Sequence, residues 1–358
     1  MNVVPILRYC ATSARVKSLS LASDCVNVCV FSYFLFPIHK ITPCQIFKYE
    51  FTEISSNELV CYLYISCMFW QEKALQNQND FRKEILKRLC KYEIFRIMKY
   101  YFKGRNFWLV NGNCLEVMEE IPSDSVDMVF ADPPYMLSNG GFTCQSGKAV
   151  SVNKGDWDKS NGVEADFEFH KSWISACRRI LKPEGTLWVS GTYHSIFQCG
   201  YAIQQLGFKI LNDITWFKPN ASPNLSCRYF TASHENLIWA IKDAKAKHIF
   251  NYDAMREGSF PEDFLKKQGK QMRSVWAINT PHASEKIHGK HPTQKPLNLL
   301  RRIIESSTLE NALTLDPFCG SSTTGIAAVI SGRKYMGIDI CKDYLDLSIK
   351  RYEDLKRE

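Results

Sequence analysis

Two acidic turns are the parts of this chain best suited to chemistry, because each directly follows an apolar run. The first turn, Asp132-Pro133-Pro134-Tyr135, follows the run Val126–Ala131. The second turn follows Leu313–Leu315 and reads Asp316-Pro317-Phe318-Cys319-Gly320-Ser321-Ser322-Thr323-Thr324-Gly325. Apolar runs of this length predict buried strands, and open α/β sheets bind their ligands at the carboxyl ends of strands. The pattern therefore predicts two ligand-binding turns.

The first turn offers the groups that would activate an exocyclic amine of a nucleobase. Such an amine is a poor nucleophile, and acceptors for its N–H bonds stabilise the positive charge that develops during attack. The Asp132 carboxylate and the Pro133 carbonyl are candidate acceptors, and Pro134 keeps the backbone extended. The Tyr135 ring is a candidate for stacking on a base that has left the duplex. An ordinary strand-to-loop turn is the alternative interpretation.

The second turn predicts a nucleoside ligand without a pyrophosphate. It lacks the Lys of a phosphate-binding loop, since Ile326 follows Gly325, and it lacks the Gly-x-Gly-x-x-Gly pattern. Small residues that lead into a helix can lie close to an amino-acid carboxylate. Asp339 ends the next predicted strand, where an acidic group accepts hydrogen bonds from ribose hydroxyls. S-adenosylmethionine fits this pattern; a helix N-cap formed by Thr323 and Thr324 is the alternative.

Predicted strands and helices alternate from Phe107 onward and would position both turns. The predicted strands are Phe107–Val110, Val126–Ala131, Thr186–Val189, Ile210–Trp216, Leu237–Ile241, Leu313–Asp316 and Tyr335–Ile338. The predicted helices are Asn113–Glu120, Phe167–Leu181, Ile196–Leu206, Leu297–Ser306, Thr323–Ile330 and Tyr344–Tyr352. Such alternation predicts an α/β fold with a mostly parallel, doubly wound sheet. Leu137–Lys159 is expected to be a long functional loop, and Lys242–Lys290 an irregular basic segment.

The net charge, the cysteine pattern and the length of the apolar stretches restrict the classes of protein to which the chain could belong. The net charge of +8 permits a polyanionic partner without requiring one. The 14 cysteines form no pair of Cys-x-x-Cys elements, so we expect no metal site and reduced thiols in a cytosol. The apolar stretches within residues 1–97 are shorter than the roughly 20 residues that a membrane-spanning helix needs, so no membrane is expected. These residues also carry no recognisable chemical motif.

Several motifs together resemble the beta-class amino DNA methyltransferases. They are Ala131–Tyr135 with Leu137–Gly141, His291–Pro296, Asp316–Ser321, Asn212–Asn220 and Phe230–Glu235. In that class the catalytic motif precedes the cofactor motif, as it does here, and the resemblance covers roughly residues 107–353. It implies a Rossmann-like S-adenosylmethionine-dependent methyltransferase fold with a permuted motif order. Residues 98–358 are expected to be the catalytic domain. Because the α/β pattern begins just after Met98, residues 1–97 are expected to be an extension of doubtful order or relevance.

The resemblance also implies roles for individual residues. Asp132 and Pro133 would hold the target amine, followed by Pro134, and Tyr135 would stack on the base. The expected cofactor-binding residues are Asp316, Pro317, Phe318, Gly320, Ser321, Thr323, Thr324 and Asp339, with Thr293, Gln294 and Lys295 closing the pocket. Two positions depart from the family pattern: Ser322 stands where Gly is frequent, and Asn113 stands where Asp is frequent.

Two segments are the expected DNA contacts, the loop 138–160 and a target-recognition region at 242–290. Basic side chains would neutralise phosphates, and Asn, Ser or Arg would read base edges. The candidates within these two segments are Ser138, Asn139, Lys154, Trp157, Lys270 and Arg273. A third segment, Lys218–Arg228, follows the end of a predicted strand and adds Asn220, Asn224 and Arg228. Trp157 would be a wedge for the gap left by a flipped base, or simply a core residue.

The interpretation that follows is site-specific methylation of adenine N6 in a short duplex motif, with S-adenosylmethionine as cofactor. An Asp at the first catalytic position resembles adenine-N6 enzymes, whereas cytosine-N4 enzymes usually carry Ser. The motif GATC is favoured and GANTC is next. A restriction-modification system in a bacterial cytoplasm, with a cognate endonuclease and a homodimer as candidate partners, suits this interpretation. Cytosine-N4 methylation, RNA or protein-glutamine methylation, and non-catalytic DNA binding are the alternatives.

Overall fold

A nine-stranded mixed sheet organises this computed structural model, which describes residues 98–138, 142–145, 148–151 and 158–355. The expected extension, residues 1–97, lies outside the described residues. The strands of the main sheet are β1 Phe102–Lys103, β2 Phe107–Asn111, β3 Val126–Ala131, β6 Leu181–Gly191, β7 Lys209–Phe217, β8 His234–Ile241, β9 Val275–Ala277, β10 Leu313–Asp316 and β11 Lys334–Asp339. A separate hairpin consists of β4 Phe142–Gln145 and β5 Lys148–Ser151.

The order of the main sheet is β1-β2-β11-β10-β3-β6-β8-β7-β9. Strands β2, β11, β10, β3 and β6 pair in parallel, and β9 is parallel to β7. Antiparallel pairs join β1 to β2 and join β8 to both β6 and β7. The prediction of a mostly parallel α/β sheet is therefore confirmed.

Helices cover both faces of the sheet. They are α1 Cys114–Glu120, α2 Val163–Ile180, α3 Ile196–Gln205, α4 Tyr252–Glu257, α5 Leu297–Ser307, α6 Thr323–Ile330 and α7 Lys342–Asp354, with a 3₁₀ turn at Ala283–Lys286. Val129 and Ala131 of β3 pack in the core beneath α1–α3, whereas Met128 and Phe130 pack in the core beneath α5–α7. The unbroken apolar run of β3 follows from this burial on both faces. Among the described helices, none is long and apolar enough to cross a bilayer.

The expectation that Lys242–Lys290 is irregular is wrong, whereas the functional role of the loop Leu137–Lys159 stays a prediction. The loop predicted at Leu137–Lys159 includes the hairpin β4–β5. The segment Lys242–Lys290 contributes α4 and the sheet strand β9, in which Trp276 is buried. The segment is tied to α5 by an ion pair of 2.7 Å between Arg302 and Asp263, both buried. Its few apolar residues are spaced too widely to give a periodic signal, although they pack into the core.

Candidate active site

The carboxyl ends of three neighbouring strands bring the acidic turns together. Strand β10 lies between β3 and β11, and all three run in parallel, so Asp132, Asp316 and Asp339 end at the same edge of the sheet. A cavity of about 300 Å³ opens there. Its lining includes every predicted catalytic and cofactor residue: Asp132, Pro133, Pro134, Tyr135, Thr293, Gln294, Lys295, Asp316, Pro317, Phe318, Gly320, Ser321, Thr323, Thr324 and Asp339. The structure thus places the predicted residues in one site, while their individual roles stay predictions.

At the cofactor end of the cavity, the Asp316 carboxylate organises the turn. Its Oδ1 accepts from the Phe318 backbone N–H at 3.0 Å, and its Oδ2 accepts from the Thr324 hydroxyl at 2.6 Å. Burial raises the pKa of Asp316 to about 7, although these two hydrogen bonds favour the charged form. Among the described residues none forms an ion pair with Asp316, and a buried carboxylate of this kind suits a positively charged ligand.

The turn into α6 has a left-handed backbone. Gly320 has φ 49°, and a Cβ there would lie 2.8 Å from the His291 ring, so only glycine fits without rearrangement. Ser322 is the N-cap of α6 with φ 52°, which accounts for the frequent Gly at this position in the resembled family. The alternative that Thr323 and Thr324 form the N-cap is wrong, because both lie inside the helix and Thr324 bonds Asp316 instead.

An arginine that the sequence analysis missed holds the same turn. The buried Arg351 guanidinium of α7 donates to the Ser321 carbonyl at 2.5 Å, to the Ser321 hydroxyl at 3.1 Å and to the Thr323 hydroxyl at 2.9 Å. Arg351 lies on α7, outside every motif of the sequence, so no sequence pattern indicated that it contacts this turn.

Asp339 and Gln294 both line the cavity, but they differ in whether their acceptor oxygens already have hydrogen-bond partners. The Asp339 carboxylate accepts from the Gly320 and Cys341 backbone N–H groups, each at 2.8 Å, while burial raises its pKa. The buried Gln294 side chain donates to the Glu285 carbonyl at 2.9 Å, but its Oε1 has no hydrogen-bond partner. An unpaired buried acceptor that lines the cavity fits a ligand that donates a hydrogen bond. The residues present therefore fit an aminoacyl nucleoside such as S-adenosylmethionine.

The other end of the cavity is organised around the Tyr135 hydroxyl. This hydroxyl donates to Asp132 Oδ1 at 2.6 Å and lies 3.0 Å from Glu235 Oε2 and 3.2 Å from Ser190 Oγ. Lys295 Nζ donates to the same hydroxyl at 2.9 Å. Tyr135 is only 5% exposed, and its base-stacking role stays a prediction.

The groups around the Tyr135 hydroxyl form a cluster, which we call the catalytic cluster after the predicted role of Asp132. Its charges are the ammonium groups of Lys295 and Lys218 and the carboxylates of Asp132 and Glu235. Lys295 Nζ lies 2.8 Å from Asp132 Oδ2 and 3.1 Å from Glu235 Oε2, and Lys218 Nζ lies 2.5 Å from Glu235 Oε1. Burial raises the pKa of Asp132, an effect that Lys295 opposes and Glu235 increases. Burial also works to raise the pKa of Glu235, but Lys295 and Lys218 more than offset it and bring that pKa to about 2. Glu235 is thus ionised at neutral pH.

The turn Asp132–Tyr135, which we call the catalytic turn after its predicted role, is anchored through its backbone by Asp158, which is fully buried. Its Oδ1 accepts from the Tyr135 backbone N–H at 2.9 Å, and its Oδ2 accepts from the Leu137 backbone N–H at 3.2 Å and the Ser138 hydroxyl at 2.9 Å. Between them Met136 adopts φ 58°, a left-handed conformation that needs such support in a residue with a side chain. Asp158 thereby joins the far end of the 138–160 loop to the catalytic turn.

The candidate DNA contacts fall into three groups. Asn139, Lys154 and Trp157 lie outside the described residues. Ser138, Asn220 and Asn224 have internal partners: Ser138 bonds Asp158, both ends of the Asn220 amide pair with Thr280, and the Asn224 side chain bonds the Tyr229 carbonyl and Ser226. Arg228, Lys270 and Arg273 are exposed. The DNA-binding roles of all of these residues stay predictions.

Sequence reasoning missed most of the residues that support the catalytic turn. Glu235 lies in a segment that resembles the family, and it received no role; Lys218, Ser190 and Asp158 were also without one. A Lys and a Glu that flank the loop between predicted strands were a usable signal for Lys218 and Glu235. Within the described part of the chain, no three His, Cys, Asp or Glu side chains are grouped as metal ligands.

The chain is similar to known proteins in family, in sequence and in structure. The family described as DNA methylase matches residues 126–350. The chain is 50% identical over 262 residues to the Type II methyltransferase M2.LlaDCHI of Lactococcus lactis subsp. cremoris, which covers 73% of this chain and 94% of the relative. It is 48% identical over 264 residues to the Type II methyltransferase M2.DpnII of Streptococcus pneumoniae, covering 74% and 96% of the two chains.

Solved structures show the same architecture. The complex of M1.HpyAVI with S-adenosylmethionine aligns with a TM-score of 0.51 and 26% identity, over 69% of this chain and 98% of that chain. The cytosine-N4-specific PvuII DNA methyltransferase aligns with a TM-score of 0.56, over 72% and 89% of the two chains. Its identity of 19% makes this a likeness of fold alone.

Proposed function

This chain belongs to the DNA methylase family and is an S-adenosylmethionine-dependent DNA methyltransferase, and from that premise we propose that it methylates N6 of adenine in a short duplex motif. The observation that carries the proposal is the Asp132 carboxylate, which lines the same cavity as the predicted cofactor residues. Asp at this position resembles adenine-N6 enzymes. The relatives are named Type II methyltransferases, which supports a role in protecting DNA at a specific site.

The residues around Asp132 perform the activation of the amine. The cofactor, when bound, supplies an electrophilic methyl group on a sulfonium. Asp132 and the Pro133 carbonyl would accept hydrogen bonds from the two N–H groups of the target amine, which would leave its lone pair free for direct displacement at the methyl carbon, with the thioether of the cofactor as the leaving group. Tyr135 lines the cavity and offers a ring for the flipped base. Asp132 then faces the positive charge that forms on the amine and takes up its proton.

The loop between β7 and β8 is the described surface best placed to receive DNA. It spans residues 218–233, and its first residue, Lys218, forms an ion pair with Glu235, the second residue of β8. Arg228 and Tyr229 are exposed on it, and Phe230 is 100% exposed. A cation beside aromatic rings suits phosphate contact and stacking on bases. The internal bonds of Asn224 give this loop a fixed shape.

The recognition motif that we propose is GATC, with GANTC next. Leu137–Gly141 and Asn224–Thr231 resemble the corresponding segments of GATC-modifying enzymes more than those of GANTC-modifying enzymes. The proposal extends to a cognate restriction endonuclease for the same motif, to a homodimer and to a cytoplasmic location. The names of the Type II relatives support the first of these.

Methyl transfer from labelled S-adenosylmethionine to unmodified DNA by the full chain tests the proposal, with the modified base identified and its flanks mapped. N6-methyladenine within GATC, together with protection from a nuclease that methylation at this site blocks, is the expected result. N4-methylcytosine would overturn the choice of base, and N6-methyladenine in another motif would overturn GATC alone. Cofactor-independent DNA binding without transfer would instead support the non-catalytic alternative.

Asp132→Ala is the matched variant for that experiment. Transfer should be abolished, while affinity for S-adenosylmethionine remains nearly unchanged, because the hydrogen bonds that organise the Asp316 turn come from Phe318 and Thr324 and not from Asp132. Loss of both properties would indicate a folding defect and would not support a catalytic role.

A further inference from the structure

The ammonium of Lys295 contacts the catalytic carboxylate. Sequence analysis placed Lys295 in a segment that closes the cofactor pocket, yet its Nζ lies 2.8 Å from Asp132 Oδ2, 2.9 Å from the Tyr135 hydroxyl and 3.1 Å from Glu235 Oε2. All of these groups are buried or nearly so. A lysine with these partners stabilises the negative charge of the Asp132 carboxylate.

Asp132 needs a cation if both of its oxygens are to act as acceptors for hydrogen bonds. An ionised carboxylate only accepts, whereas protonation turns one of its oxygens into a donor and leaves the group without the negative charge that strengthens its hydrogen bonds. Burial favours the protonated form, and the nearby Glu235 adds a second negative charge that favours it further. Lys295 is the cation in direct contact with Asp132, and it opposes both effects.

Glu235 holds that cation in place. Its Oε2 lies within hydrogen-bond distance of Lys295, Tyr135 and Ser190, and its Oε1 accepts from Lys218. One carboxylate therefore fixes the position of both groups that touch Asp132. The two lysines and the two acids balance in charge, so the buried cluster carries no net charge when all four are ionised.

We propose that Lys295 and Glu235 are positioning residues of methyl transfer: Lys295 keeps Asp132 ionised and oriented as an acceptor for the target amine, and Glu235 fixes Lys295 and Tyr135 around it. This inference rests on the proposed role of Asp132 in holding the amine. It adds two residues, from β8 and from the segment before α5, to the turn that follows β3.

The charged and titratable groups that face Asp132 come from several elements, and each affects its charge. Tyr135 and Lys295 contact it directly, Glu235 acts from β8, and Lys218 acts through Glu235. Asp316, at the end of β10, interacts with Asp132 through space. Removing Lys295 should raise the pH at which Asp132 ionises, whereas removing the charge of Glu235 should not raise it.

The experiment is a single-turnover measurement of methyl transfer across pH, at saturating DNA and cofactor. Saturation matters because Asp316 titrates at the cofactor end and would otherwise affect binding. Lys295→Met should move the acidic limb of the rate profile to higher pH and reduce the rate about tenfold near neutrality for each pH unit of that shift, with recovery at alkaline pH. Lys295→Arg retains the charge and should restore the wild-type limb.

Glu235→Gln tests the second positioning residue, and its expected pH profile differs from that of Lys295→Met. It should lower the maximal rate, since Lys295 and Tyr135 lose their anchor, but its acidic limb should lie no higher than that of the wild type. Lys182→Met is the matched control, because Lys182 pairs with Asp127 at the opposite end of β3 and should leave the profile unchanged. A variant that merely disturbed the fold would not move the limb in one direction for Lys295 and spare it for Glu235.

Two outcomes would overturn the inference. One is a Lys295→Met profile that falls by the same factor at every pH. The other is a loss of S-adenosylmethionine affinity large enough to account for the lower rate, which would return Lys295 to the cofactor pocket. The wild-type enzyme separates this test from that of the proposed function: its mapped product identifies the base, whereas the pH profiles report on Lys295 and Glu235 with either base.

Discussion

Cofactor affinity should depend on pH through Asp316. Its carboxylate is buried at the cofactor end of the cavity, and burial raises its pKa to about 7. Asp132 and Asp339 raise the pKa further, whereas the hydrogen bonds from Thr324 and Phe318 oppose the shift. S-adenosylmethionine carries positive charge on its sulfonium and its amino group. A ligand of this charge prefers the ionised carboxylate, so binding should release a proton whenever Asp316 is still protonated.

The size of the effect follows from the pKa. If the cofactor binds only the ionised form, a pKa near 7 makes the apparent dissociation constant about tenfold larger at about pH 6 than at about pH 8, or about 1.4 kcal/mol. Cofactor affinity should fall as pH falls, because the protonated fraction of Asp316 grows and that fraction must be deprotonated before binding. Proton release should be close to half a proton at about pH 7.

Isothermal titration calorimetry measures both quantities. Affinity is followed across pH, and proton release is obtained from the difference in heat between two buffers of unlike ionisation enthalpy. Asp316→Asn is the matched variant, because an amide can still accept from Phe318 and pair with Thr324 but carries no charge. It should bind the cofactor more weakly at alkaline pH and should show no pH dependence.

Two results would refute this reasoning. A wild-type affinity that is constant over this pH range would mean that Asp316 is already ionised in the free protein. A pH dependence that persists in Asp316→Asn would assign the titration to another group. His291, whose imidazole lines the same cavity, is tested in parallel by His291→Asn. S-adenosylhomocysteine lacks the sulfonium but keeps the amino group. If its affinity has the same pH dependence, Asp316 interacts with the amino group; if the dependence is lost, Asp316 interacts with the sulfonium.

Two further predictions concern the packing around the site. Gly320→Ala should weaken S-adenosylmethionine binding by about tenfold in calorimetry, since φ 49° costs a residue with a side chain about 1–2 kcal/mol and the new Cβ meets the His291 ring at 2.8 Å; unchanged affinity would mean that the turn has room to relax. Asp263→Ala should lower the free energy of unfolding in urea by about 3–5 kcal/mol, because it leaves the Arg302 charge buried without its partner. A loss below about 1 kcal/mol would show that the rings of Phe260 and Trp276 stabilise Arg302 sufficiently.

The strands and helices near the acidic turns were predictable from the sequence because their patterns are local. The buried strand Val126–Ala131 and the helix Thr323–Ile330 were predicted at the bounds that the structure shows. Continuous apolar runs specify a strand covered on both faces, and the sheet order then brings the ends of β3, β10 and β11 together. Segment 242–290 escaped prediction because β9 has only three residues and depends on the buried pair Arg302–Asp263 for its position.

Site residues were predictable from the sequence only where several of them lie within one short segment of the chain. Asp132 to Tyr135 and Asp316 to Thr324 each occupy a single turn, so their residue types suggested their ligands. Arg351 and Asp158 support those turns from separate elements, and nothing in their local sequence distinguishes them from surface charges. Their burial is what separates them from such charges, and burial is a property of the fold.

The catalytic cluster shows why charge is harder to predict than hydrophobic packing. Lys295 and Tyr135 are 160 residues apart, and Tyr135 and Glu235 are 100 residues apart, yet their polar atoms meet within 3.0 Å. A buried strand can exchange one apolar residue for another and still pack, whereas Asp132 keeps its charge only if a particular ammonium lies against it. The motif therefore identifies the proposed acceptor, whereas Lys295 and Glu235, which bear on its ionisation, come from other elements of the fold. A chain with the same Asp-Pro-Pro-Tyr turn but without a cation at position 295 should accordingly require a higher pH for the same reaction.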